Sequence, residues 1–238
     1  MHQILVSDLN IEVHRKNIKN LHLGVYPPEG RVRVAAPLNI DDEAVRLFVI
    51  SKLPWIHQQQ KKFVVQPRQS EREYVSGETH YFQGQPYLLH VIYQDGKPQV
   101  IIRNKTHIDL YVRKESPFST RQRIMTEWYR QQLKILAEPM IEYWQKQIGV
   151  NIDSWGIRIM RTKWGTCNIE DKRINLNLEL AKKPKQCLEY IIVHELLHLI
   201  VRHHNDHFIG LIEKYLPNWQ LLRDELNALP LKHEHWEY

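Results

Sequence analysis

The amino-acid sequence predicts an α+β protein, and three features of its patterning carry that prediction. Stretches near the N-terminus and again over 74–112 alternate apolar and polar residues, the period of a half-buried strand. From Ser119 or Thr120 to Ile148, apolar residues recur at helical spacing. Residues 185–202 read as a helix that is apolar nearly all round, the pattern of a buried element.

Taken in order, Ile11-Glu12-Val13 and Val32-Arg33-Val34 alternate on either side of the turn signal Pro27-Pro28-Glu29-Gly30, which predicts a short sheet. Asp41 or Asp42 supplies an N-cap for a helix through Val45, Phe48, Val49 and Trp55, with Pro54 expected to kink or break it. Residues 66–73 read as a polar linker. Strands follow over 74–112, with turns at Gly77, Gln83-Gly84-Gln85-Pro86 and Asp95-Gly96. The amphipathic helix runs through Ile124, Trp128, Leu133 and Leu136, is interrupted at Pro139, resumes through Ile141, Tyr143 and Trp144, and stops at Gly149. Strand-like residues Ile157 to Met160 and Arg161 to Asn168 lead to a turn at Glu170-Asp171-Lys172, and Arg173 to Leu178 alternates back as a hairpin. Pro184 opens the apolar helix at its first turn. Two further helices, near 207–215 and 218–229, are separated by Pro217. No internal repeat is evident. The domain reading is a β-rich region with one helix over 1–118 and a second region over 119–238, together one compact unit.

The chain of 238 residues can bury a substantial core, and its 42% hydrophobic and 25% charged residues are ordinary for a soluble globular protein. No apolar run approaches the roughly 20 residues needed to span a bilayer. Met1 to Asn10 lacks the basic start and apolar stretch of a signal peptide, and Cys167 and Cys187 are too few for a disulfide framework. A cytoplasmic location is expected. The net charge of +6 permits contact with phosphates or nucleic acid, and equally describes a generic basic surface. Of 14 histidines, some are plain surface residues, notably His233 and His235 in the polar tail.

His194-Glu195-Leu196-Leu197-His198 sits inside the apolar helix. Four residues advance about 400° and rise about 6 Å, so the two imidazoles project from one face and can share one ion. Glu195 is rotated about 100° from the first imidazole and can reach a water on the metal. Zinc lowers the pKa of such a water toward about 7, and a carboxylate can then take its proton. Burying these ionisable groups without a metal or partners would be costly. A catalytic zinc needs a third ligand. His204 lies at the offset of the long zincin pattern, which has Gly at the third residue after its second His; this chain has Val201 there. His203, His207 and Glu213 are its competitors, and Phe208 and Ile209 read as core residues docking the following helix.

These residues resemble the YgjP-like metallopeptidase family, related to SprT-like and minigluzincin-type zincins. Trp164-Gly165-Thr166-Cys167 is similar to the family's Trp-Gly-Ser-Cys signature, with Thr for Ser. Ile174-Asn175-Leu176-Asn177 resembles its Ile-x-Leu-Asn strand, and Tyr190 to Leu199 its active-site helix. His204-Asn205-Asp206-His207-Phe208 resembles its His-Ser-x-x-Phe element, with Asn for Ser. Tyr74 to Glu78, Phe82-Gln83-Gly84 and Trp55-Ile56 resemble N-terminal elements of the family.

The resemblance implies a zincin-like α+β fold, in which a small, mostly antiparallel sheet packs on a buried active-site helix behind an N-terminal β-rich region. It implies one catalytic Zn2+ held by His194, His198 and His204, with Glu195 as general base and a peptide or protein as substrate. The stretch from Arg161 to Cys167 would then rim the cleft, where a substrate strand can add to its edge. Arg161 and Lys163 are candidates for binding a carboxylate, a phosphate or an oxyanion, against the plainer reading of solvated charges. Trp164 reads as packing beneath the metal. Cys167 either packs as an apolar thiol or faces the zinc. The family also carries an assigned nucleoside triphosphate pyrophosphatase activity, on UTP. The same site therefore offers phosphoanhydride hydrolysis as an alternative, with Arg161, Lys163 and Arg202 holding phosphates. SprT-type relatives act on DNA-bound proteins, which offers a DNA-associated role in protein processing. No Walker motif, zinc knuckle, helix-turn-helix signature or basic tail accompanies either alternative.

Overall fold

The computed structural model describes residues 2–26, 30–65, 72–160 and 163–228. Most of the expected first turn, most of the 66–73 linker, and His233 and His235 lie outside the described residues. The described chain divides into two compact units, one running up to residue 65 and the other from 72 to 228. Residue 118, where the sequence suggests a boundary between two regions of one compact unit, falls inside the second of these. The second β-rich stretch belongs with the helices that follow it.

In the first unit, strands β1 (His2–Val6), β2 (Leu9–Lys16), β3 (His22–Tyr26) and β4 (Arg31–Pro37) form a sheet in the order β1-β2-β4-β3. The expected alternation holds: Ile11, Val13, Val32, Val34 and Ala36 are buried and form one core with Val45, Val49 and Ile56 of helix α1 (Asp42–Val65). The Asp41 carboxylate caps α1, accepting from the Ala44 amide at 2.8 Å. Pro54 does not break the helix, which passes through it. Pro54 and Ile50, whose carbonyl loses its usual partner there, both lie on the exposed side of α1.

The second unit opens with strands β5 (Thr79–Phe82), β6 (Gln85–Tyr93), β7 (Gln99–Ile102) and β8 (His107–Val112), ordered β5-β6-β8-β7. This is the connectivity of the first sheet again. In both, the outer pairs are antiparallel, the central pair is parallel, and a long proline-containing helix follows. A repeat that is not evident in the residues is present in the topology.

Helix α2 (Phe118–Ile148) starts without a side-chain cap, behind Pro117 and not at Ser119 or Thr120. It is continuous through Pro139 and ends at Gly149, whose φ of 81° lets its amide close on the Gln145 carbonyl. Strands β9 (Ser154–Arg158), β10 (Gly165–Asn168) and β11 (Arg173–Asn177) make a small mixed sheet in the order β10-β11-β9. The expected hairpin is β10–β11, antiparallel with Asn168 opposite Arg173, while β9 pairs with β11 in parallel. A 3₁₀ turn over Leu178–Lys182 leads into helix α3 (Lys185–Leu197), followed by α4 (Asp206–Tyr215) and α5 (Trp219–Ala228). The whole is α+β, with the small sheet and α2 packed against α3.

The β5–β6 turn fixes where α3 begins. The amides of Gln83 and Gly84 donate to the carbonyls of Ala181 and Lys182 at 3.0 and 3.1 Å. Gly84 has φ +80°, and a Cβ there would lie 2.8 Å from Cγ of Pro184.

The core predicts a contrast between two leucines. Leu133 of α2 is 0% exposed and Leu47 of α1 is 60% exposed. Leu133→Ala should cost about 2–5 kcal/mol in urea unfolding, and Leu47→Ala about 0.5 kcal/mol or less.

Candidate metal centre

Helix α3 is shorter than its apolar pattern suggests. It ends at Leu197, and His198 is its C-cap with φ −63° and ψ −19°. The expected run to Arg202 is cut by a tight turn in which the amides of Ile200 and Val201 both close on Leu197 O, at 3.0 and 2.9 Å. Val201 is not in the left-handed region, so this turn needs no glycine. Leaving the helix at His198 brings the chain back across its own C-terminal end. Asn205 then caps α4, its Oδ1 accepting from the Phe208 amide at 3.0 Å.

That route brings His204 to the two helical histidines. Ligand atoms of His194, His198 and His204 all lie within 4.8 Å of one another, and the Nε2 atoms of His204 and His194 are 3.0 Å apart. Among the described residues, His203, His207, Glu213 and Cys167 do not join this cluster. His198 Nδ1 is engaged by the Val201 carbonyl at 3.1 Å, which leaves its Nε2 for an ion. Burial pushes the His194 imidazole down to about 3, with the neighbouring His198 and His204 adding to the effect. Burial likewise lowers His198. Neutral imidazoles are the form that binds a metal, and three of them make a donor set suited to zinc among other transition metals.

Phe208 organises this group. It is 2% exposed, and its ring centroid lies 5.1, 4.9 and 4.8 Å from those of His194, His198 and His204. Sequence reasoning assigned it to docking α4; it is also the packing surface shared by all three imidazoles. The Asn205 cap three residues earlier was the legible signal.

Glu195 is 5% exposed. Burial raises its carboxyl to about 8, against a lowering pull from Lys163. The cleft beside it has a volume of about 1160 Å³ and is lined by Lys163, Cys167, Tyr190, Arg202 and Arg223 along with the histidines and Glu195. Cys167 is half-buried in the cleft wall, and burial followed by the nearby Glu195 raises its thiol to about 11. Trp164 packs against the core as expected and also faces the cleft, with Lys183 Nζ 5.5 Å from its ring. Arg161 lies outside the described residues.

The expected strand from Arg161 begins only at Gly165, for a reason the sequence hid. Asn177 Nδ2 donates to the carbonyls of Met160 and Lys163, each at 2.8 Å, and the Asn177 amide donates to Trp164 O at 2.9 Å. One buried asparagine thus ties down Met160, Lys163 and Trp164, and β10 starts at the next residue.

Solved structures similar to part of the chain include two metallopeptidase zymogens. The metallopeptidase zymogen of Pyrococcus abyssi abylysin shares 21% identity, covers 38% of this chain and 90% of its own, and has a TM-score of 0.36. The metallopeptidase zymogen of Methanocaldococcus jannaschii jannalysin shares 19% identity, covers 38% and 86%, and has a TM-score of 0.35. No curated protein matches the chain. The YgjP-like family, described as a metallopeptidase domain, matches residues 19–229, nearly the full length. The chain belongs to the YgjP-like metallopeptidase family.

Proposed function

We propose that this protein is a zinc-dependent metallopeptidase in which His194, His198 and His204 hold one ion and Glu195 moves the proton of the attacking water. The observation that carries the reading is the convergence of three imidazoles within 4.8 Å, with a buried carboxyl on the residue after the first of them. A zinc ion held there supplies Lewis acidity, for both a coordinated water and a substrate carbonyl. Glu195 is the group that accepts the water's proton and can return it to the departing amine. Burial raises its proton affinity, and a nearby dication would favour its ionised form.

A peptide or protein is the substrate this reading calls for. Strand β10 is at the edge of its sheet and lines the cleft, so an extended peptide can pair with it while presenting one carbonyl toward the histidines. Lys163 is the candidate for contacting such a peptide's acidic or carbonyl groups. Cys167 is the candidate for limiting space beside Glu195. No observation singles out a nucleotide or DNA as the ligand. Two free cysteines suit a reducing compartment such as the cytoplasm, and among the described residues no helix is long and apolar enough to cross a membrane.

Two measurements test this reading. Metal analysis after dialysis against a weak chelator should show His204→Ala stripped of zinc and His203→Ala still loaded. Full retention in His204→Ala would mean the third ligand is another residue. Glu195→Gln should keep its zinc and lose peptide hydrolysis by about 10²–10⁴-fold. Wild-type turnover in that variant would remove Glu195 from the mechanism.

A further inference from the structure

Glu195 is held from one side by α3 and from the other by Gly165, the first residue of β10. A Cβ built on Gly165 would lie 2.5 Å from Glu195 Oε1, 2.7 Å from its Cγ and 2.8 Å from its Cδ. All three separations are far inside van der Waals contact, and they fall on one side chain. Gly165 has no left-handed φ, so its backbone conformation does not call for glycine. Space for Glu195 does.

Neither backbone is free to retreat. Gly165 is paired opposite Leu176, which is 0% exposed in the core. The residues just before it are tied down by Asn177, through the carbonyls of Lys163 and Trp164. On the other side, the part of α3 that carries Glu195 is packed in the core, with Val193, Leu196 and Leu197 at 0% exposure. An added methyl group at 165 must therefore be absorbed by swinging the Glu195 carboxyl away.

We propose that Gly165 is a positioning residue: its missing side chain is the seat that fixes the Glu195 carboxyl beside the three histidines. The seat explains why a glycine stands in the Trp164-Gly165-Thr166-Cys167 segment, whose other members face the cleft with larger side chains. It rests on the reading of Glu195 as the proton-transfer group, and it makes one dimension of that group's placement a property of the strand. Displacing a catalytic group by about 1 Å can cost about 100-fold in rate.

The test is Gly165→Ala, alone and combined with Glu195→Ala, which removes the three atoms nearest the new Cβ. In the zinc-loaded enzyme, Gly165→Ala should lower kcat by about 10- to 100-fold, with KM and zinc content near the wild-type values. In the metal-free protein, Gly165→Ala should lower Tm, and adding Glu195→Ala should recover that loss, a coupling that a double-mutant cycle reads directly. Folding of the double variant where Gly165→Ala alone fails would count the same way. Unchanged kcat, or a Tm loss that persists undiminished beside Glu195→Ala, would overturn the proposal. The metal-free cycle reads the contact even if Glu195→Gln proves active, so failure of the base and failure of the seat can be told apart.

Discussion

Desolvation of His194 and Glu195 within an apolar helix is the constraint around which the site is built. Burial drives both toward their neutral forms, the imidazole down to about 3 and the carboxyl up to about 8. A neutral imidazole is already the ligand form, so its shift favours metal binding. The carboxyl is different: a nearby positive charge would favour its ionised form. The proposed dication would answer both demands. The rest of the second unit holds these groups in place: Phe208 under the rings, the Val201 carbonyl on His198, and β10 against Glu195.

Much of this could be read from the residues. Alternation located the strands, Gly149 marked the end of α2, and Glu170-Asp171-Lys172 marked the hairpin turn. The ten-residue offset of the long zincin pattern points to His204 with His203, His207 and Glu213 as competitors, and among the described residues it is His204 that gathers with His194 and His198. What escaped was tertiary. Nothing in the apolar run 185–202 announces that the helix ends at Leu197, since Leu199, Ile200 and Val201 continue the hydrophobic pattern in a turn. Pro54 and Pro139 looked like breaks because a local rule penalises them, yet packing along a whole helix outweighs one missing hydrogen bond. Asn177 looked like an ordinary strand residue; its role depends on carbonyls 14 and 17 positions away.

The two four-stranded sheets make a related point. They share order and direction while their residues do not visibly repeat. Connectivity is set by turn lengths and by which faces are apolar, and many sequences satisfy both. Only the second sheet continues into α2 and the elements carrying the histidines. Its β5–β6 turn, through Gln83 and Gly84, meets the segment leading into α3. In the second unit, the β-rich part is therefore a mount for α3, the helix that carries His194 and Glu195.

The central claim is that the ion sits among three imidazoles with no sulfur in its coordination shell. X-ray absorption spectroscopy at the zinc edge of the loaded protein tests it most directly. The account predicts nitrogen and oxygen scatterers only, near 2.0–2.1 Å, with the multiple-scattering pattern of about three imidazoles. A sulfur shell near 2.3 Å, which would place Cys167 on the metal, or a fit needing only two imidazoles, would contradict it.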